Sequence, residues 1–161
     1  DDPVSDFDGL IRMMVNVVCR GGNWLVNIGP DRNGKISDEI KNRMREVGDW
    51  LRTYGESIYA TKAGPFEPVD DVYGATCRGN KVYLHVLNPE AFRAEVLPEI
   101  GNRIVKAKMF DGRPVSIVPK EQGTVLELPV TEAAPDTIVV LTMEKAADEK
   151  KDAEIYFTGK E

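Results

Sequence analysis

The run Gly21-Gly22-Asn23-Trp24-Leu25-Val26-Asn27-Ile28-Gly29-Pro30 decides how this chain is read. Its centre, Trp24 to Ile28, is short and nearly all apolar between turn signals. That is the pattern of a strand covered on both faces, and therefore of a parallel sheet. Before it, a helix is expected over 6–20. Ser5 and Asp8 stand three apart as its start, because a hydroxyl and an acid at that spacing satisfy the free amides of a first turn. Leu10, Ile11, Met13, Met14, Val15, Val17, Val18 and Cys19 cover most of its circumference and leave a narrow polar stripe at Asp8, Arg12, Asn16 and Arg20, so the helix is expected to be buried on several sides. Gly21 and Gly22 stop it.

After the run, 29–34 reads as a loop, and Ser37 caps a second helix with Asp38 and Glu39 near its positive end. Ile40, Met44, Val47, Leu51 and Tyr54 recur at helical spacing until Gly55. Helix, strand and helix make one repeat of an α/β layer. A lone parallel strand satisfies neither its edges nor its faces, so partner strands are expected upstream of Asp1, with the first third of the chain as the end of a larger α/β domain.

From about Asp70 the period becomes two. Val82, Leu84 and Val86 oppose Tyr83, His85 and Leu87, and Ile104, Lys106, Lys108 and Phe110 oppose Val105, Ala107 and Met109. Turn signals at Gly79-Asn80, Asp111-Gly112 and Gln122-Gly123 divide the region into about six or seven strands, the pattern of an antiparallel sandwich. The expected organisation is an α/β segment over 1–61, a linker over 62–69, a sandwich over 70–144 and a charged linker or tail over 145–161. Ile155-Tyr156-Phe157 is a candidate start for a further strand. The fold class is thus α+β.

Composition excludes several function classes. The 161 residues carry a net charge of −6, which disfavours a nucleic-acid surface, and no apolar run reaches membrane-spanning length. Cys19 and Cys77 form neither a Cys-x-x-Cys nor a Cys/His set and read as buried thiols. Gly21, Gly22 and Gly29 follow a helix and precede a strand, the reverse of a phosphate cradle. No cofactor is indicated.

Leu10 to Pro30, with its centre Gly-Gly-Asn-x-Leu-x-Asn-Ile-Gly-Pro, resembles the last barrel segment of the α-L-fucosidases of glycoside hydrolase family 29. Asp31-Arg32-Asn33-Gly34-Lys35-Ile36, Val47-Gly48-Asp49-Trp50-Leu51 and Tyr54-Gly55-Glu56-Ser57-Ile58-Tyr59-Ala60-Thr61 continue the family pattern in order. Trp24 where Leu is usual, and Cys19 where a small residue is usual, are apolar exchanges. The resemblance implies that 1–61 is the terminal helix-strand-helix of a (β/α) barrel, followed by the family's β-sandwich. It also implies retaining hydrolysis of terminal α-L-fucose from glycans and an extracytoplasmic setting. Retention uses two carboxyl groups about 5 Å apart, and the family's nucleophile lies on an earlier barrel strand, so no catalytic residue is assigned to this chain. The fucosylated glycan would be bound through the missing barrel.

Asn27 is the candidate for substrate contact, because it lies near the carboxy end of the proposed strand, the end that faces substrate in such barrels. Trp24 begins that strand and reads as core. Asp31 and Asn33 beside Gly34 are explained by turn chemistry, and Asp38 and Glu39 by helix capping. His85, the only histidine, has no partner at metal-ligand spacing and is expected to be structural or on the surface. The alternative to an enzyme part is a carbohydrate-binding or interaction module made by the sandwich. Against it, Trp24 and Trp50 lie outside the sandwich, and alternation buries Phe110.

Overall fold

The computed structural model describes residues 5–148. Helix α1 (Phe7–Cys19) and helix α2 (Asp38–Tyr54) are followed by a 3-10 turn, Gly55–Ser57. Then come β1 (Lys62–Ala63), β2 (Tyr73–Arg78), β3 (Lys81–Val86), the short helix α3 (Pro89–Phe92), β4 (Leu97–Pro98), β5 (Ile104–Met109), β6 (Ser116–Lys120), β7 (Gly123–Glu127) and β8 (Thr137–Met143). The chain is therefore mixed helix and antiparallel sheet, as the two periods predict.

The strands form a five-stranded sheet in the order β1-β2-β3-β8-β5 and a three-stranded sheet in the order β4-β7-β6. Two predicted turns set its hairpins. Gly79-Asn80 joins β2 to β3 with Arg78 opposite Lys81, and Gly79 takes φ 57°, a conformation that glycine adopts without a Cβ clash. Lys120 faces Gly123 across the β6–β7 hairpin, so that turn is centred on Glu121-Gln122.

Period-two alternation gives the larger sheet two buried faces. Val82, Leu84 and Val86 of β3, with Val139, Leu141 and Met143 of β8, meet the smaller sheet in one apolar cluster. Tyr83, Leu87, Ile138 and Val140 point the other way, onto Leu10, Ile11, Met14 and Val15 of α1 and Trp50 of α2. The architecture is a sandwich with a helical layer on its outer face. Burying each such side chain contributes roughly 1.5–3 kcal/mol, so the second face is as much a core as the first.

Two local expectations are corrected. The cap of α1 is Asp6, whose Oδ1 accepts from the Gly9 amide at 2.7 Å, rather than Ser5. Asp6 has the extended backbone a cap requires, at φ −68° and ψ 166°. The stretch Trp24 to Ile28 lies outside every sheet, and Leu25 is 82% exposed. Its apolar content is that of a buried strand, but the antiparallel strands pair with one another, and among the described residues none lies beside it to complete a ladder.

At the other end, the Ala147 amide donates to Gly79 O at 2.7 Å and Asp148 Oδ2 accepts from the Gly79 amide at 2.8 Å, which ties the start of the charged stretch to the sandwich. The rest of that stretch, with Ile155-Tyr156-Phe157, lies outside the described residues.

Candidate functional site

The start of α1, the end of the Trp24–Ile28 segment and the start of α2 lie at one end of the helical layer. Between them is a cleft of about 690 Å³ lined by Leu10, Asn27, Ile28, Asp31, Lys35 and Ile40, among others. Asn27 is exposed there, so the candidate for substrate contact sits in an open cleft. Trp24 lines a separate apolar cleft with Met14, Gly22 and Tyr59, beside the end of α1. Its Nε1 is buried and has no acceptor within the described residues.

Asp31 is committed to its own loop. Oδ1 accepts from the amides of Asn33 at 2.8 Å and Lys35 at 2.9 Å, while Gly34 turns the chain at φ 76°. The Lys35 amide, and then that of Asn33, hold the carboxyl below its ordinary range. A carboxylate so held accepts hydrogen bonds and is a poor proton donor near neutral pH, so Asp31 is a loop former rather than a general acid.

Asp38 and Glu39 open α2. Asp38 pairs with Lys41 at 3.0 Å, and that bond lowers its pKa, while Ser37 Oγ accepts from the Ile40 amide at 3.3 Å. The two acids belong to the helix start and not to an acid/base pair.

His85 is the residue whose environment the sequence least revealed. It is fully buried, with Nδ1 2.6 Å from Asp136 Oδ2 and Nε2 3.2 Å from Thr76 Oγ1, and Thr76 in turn donates to Ser57 O at 2.6 Å. Alternation with Tyr83 and Leu87 already placed His85 on one face of β3. Nothing in the sequence linked it to Asp136, which arrives from the loop before β8. Glu56 was likewise missed: Oε1 accepts from Tyr83 Oη at 2.5 Å and from Lys81 Nζ at 2.9 Å.

Cys19 and Cys77 are buried and form no disulfide, and burial, followed by the Asp136 charge, pushes the Cys19 thiol far up, which makes it inert. On the sandwich, Tyr73, Tyr83 and Phe92 are buried and Phe110 packs edge-on against Tyr54 at 5.2 Å. Among the described sandwich residues no aromatic ring stands free as a sugar platform.

Residues 2–56 match the family model described as Alpha-L-fucosidase. The chain belongs to the α-L-fucosidase family. The α-L-fucosidase of Branchiostoma floridae is 37% identical over 87 residues, 52% of this chain and 19% of that protein. Likeness to solved fucosidases runs on through the sandwich. Alpha-L-fucosidase isoenzyme 1 from Paenibacillus thiaminolyticus superposes with TM-score 0.74 at 27% identity, covering 88% of this chain and 35% of that one. A family 29 fucosidase from Bacteroides thetaiotaomicron, trapped as a covalent intermediate in complex with 2-fluoro-fucosyl fluoride, superposes with TM-score 0.77 at 25% identity, covering 88% of this chain and 33% of that one. The chain spans less than a third of the curated relatives it matches, from 12% to 28% of their length.

Proposed function

We propose that this chain is part of a retaining α-L-fucosidase that removes terminal α-L-fucose from glycans, and that its role there is to close and support the catalytic barrel. The carrying observation is the segment Trp24 to Ile28. It has the composition of a strand buried on both faces, it lies inside the stretch matching the family, and it is exposed here, with Leu25 82% and Ile28 41% accessible. A surface of that kind fits between parallel barrel strands, and the orphaned indole N–H of Trp24 fits an acceptor on such a neighbour.

The trapped covalent intermediate of the Bacteroides relative supports a nucleophilic mechanism with retention. On this reading the nucleophile and the acid/base carboxylate belong to earlier barrel strands, and this chain alone does not turn over substrate. Asn27 is the residue proposed to reach the glycan, through an amide that both donates and accepts hydrogen bonds to sugar hydroxyls. The glycan partner therefore binds mainly outside this chain.

Exchanging residues 5–148 for the equivalent stretch of the Paenibacillus thiaminolyticus enzyme tests the reading. The chimera is expected to hydrolyse an aryl α-L-fucoside, and Leu25→Asp in the chimera is expected to abolish folding or activity. A chimera that folds but is inactive, or one indifferent to Leu25→Asp, sinks the proposal. The isolated chain is expected to show no turnover.

A further inference from the structure

We propose that the relay from Asp136 through His85 and Thr76 to Ser57 is a registry lock, which fixes how the end of the helical layer seats on the five-stranded sheet and does so at the expense of stability. This inference does not depend on the fucosidase reading.

The direction of the relay follows from counting hydrogens. Thr76 has one hydroxyl hydrogen, and its Oγ1 lies 2.6 Å from Ser57 O. Two oxygens that close repel unless a hydrogen lies between them, so Thr76 donates to Ser57. Thr76 Oγ1 then only accepts from His85 Nε2, 3.2 Å away, and Nε2 must carry its hydrogen. On the far side of the ring, Nδ1 and Asp136 Oδ2 share one further proton across 2.6 Å. The three hydrogen bonds of the relay are therefore all made with their hydrogens in one order, Nε2–H to Thr76 and Thr76 O–H to Ser57.

Their places in the fold make that arrangement a registration device. Ser57 belongs to the 3-10 turn that ends the helical layer, Thr76 to β2 and His85 to β3, and Asp136 lies just before β8. Their side of the sheet otherwise packs mainly as apolar surface on α1 and α2, through Tyr83, Leu87, Ile138 and Val140, and its other tie to the same turn, from Tyr83 and Lys81 to Glu56, is made at a half-exposed carboxyl. Apolar contacts tolerate sliding, whereas a buried hydrogen-bond chain is satisfied in one position only. The relay also leaves one atom over, since Asp136 Oδ1 is buried and has no partner among the described residues. Burying such a group without full compensation is unfavourable, which is why the lock is expected to confer specificity rather than stability.

The test joins one variant to one spectroscopic measurement on the full chain. The triple replacement Thr76→Val, His85→Leu, Asp136→Leu is expected to fold with an unchanged or higher melting temperature. It should also lose about tenfold amide-exchange protection in α1 and α2 relative to β3 and β8, and split or broaden the Trp50 indole resonance. A triple variant that keeps one sharp Trp50 signal and native protection overturns the proposal, and so does one that no longer folds, because the relay would then be a source of stability. In the wild type, ring-selective nitrogen NMR is expected to show Nε2 of His85 protonated, with a slowly exchanging hydrogen. A ring bearing its hydrogen on Nδ1 alone overturns the relay whatever the variant does.

Discussion

The phenolic oxygen of Tyr83 on β3 lies 2.5 Å from Oε1 of Glu56 in the turn after α2, so one hydrogen bond joins the helical layer to the centre of the sheet. Lys81 reaches the same oxygen at 2.9 Å. These two donors, Lys81 first, hold the Glu56 carboxyl below its ordinary range.

A carboxyl whose folded pKa is depressed contributes stability above its unfolded pKa and loses it as pH falls through the folded value. Glu56→Gln is therefore expected to lower stability by about 1 kcal/mol near neutral pH, the modest figure reflecting solvent screening at a half-exposed side chain. The gap between wild type and variant should close as acid protonates Glu56, as read by urea denaturation at several pH values. A gap that persists at the lowest pH would count against this account.

Burial, and then the bond to Glu56, push the Tyr83 phenol up to about 12. A raised folded pKa means that the protonated form is the one stabilised. The contribution is complete below the unfolded value of about 10 and disappears as pH rises toward about 12. Titration of phenolate absorbance should show a late step that Tyr83→Phe removes. The same substitution should cost about 1–2 kcal/mol at neutral pH, since it leaves an acceptor short of a donor.

Gly74 on β2 lies directly under α1, where an added Cβ would fall 2.8 Å from both Cβ and Sγ of Cys19. Gly74→Ala is expected to destabilise by about 1–3 kcal/mol through forced displacement of the helix. Cys19→Ala in the same chain should recover part of that loss, because it removes the sulfur but not the Cβ, and a double-mutant cycle measures the coupling. Strict additivity would show that the two sites do not touch.

Ala60 adopts φ 56°, in the left-handed region that side chains with a Cβ disfavour. Ala60→Gly relieves that clash while adding freedom to the unfolded chain, and the expected net gain is about 0.5 kcal/mol. Thermal melting of the variant decides it, and a lower melting temperature would falsify the strain argument.

Leu25 is 82% exposed, whereas Ile11 is fully buried against the sheet. Ile11→Ala should cost about 2–5 kcal/mol, and Leu25→Lys should stay within about 0.5 kcal/mol. Chemical denaturation of the two variants separates an apolar residue in the core from one left exposed by the described residues.

The two long helices and the antiparallel sandwich were legible because each rests on local rules: apolar spacing of three and four, capping by Ser37, and alternation bounded by Gly79-Asn80. Asn27, singled out by its position in the segment, lies exposed in a cleft between the two helices. The strand expected at Trp24 to Ile28 was not found, because a strand is a relationship between two segments and the sequence of one cannot supply the other.

The sequence by itself determined what each stretch is disposed to become, and it tied the first 61 residues to a family through an ordered set of motifs. Only the tertiary structure decided that the outer face of the sheet is covered, that His85 is enclosed with Asp136, and that Glu56 serves Tyr83 and Lys81. The reason is distance along the chain. Spacing rules act over a few residues, whereas His85 and Asp136 lie 51 apart and meet only because β3 and β8 are neighbours in the folded sheet.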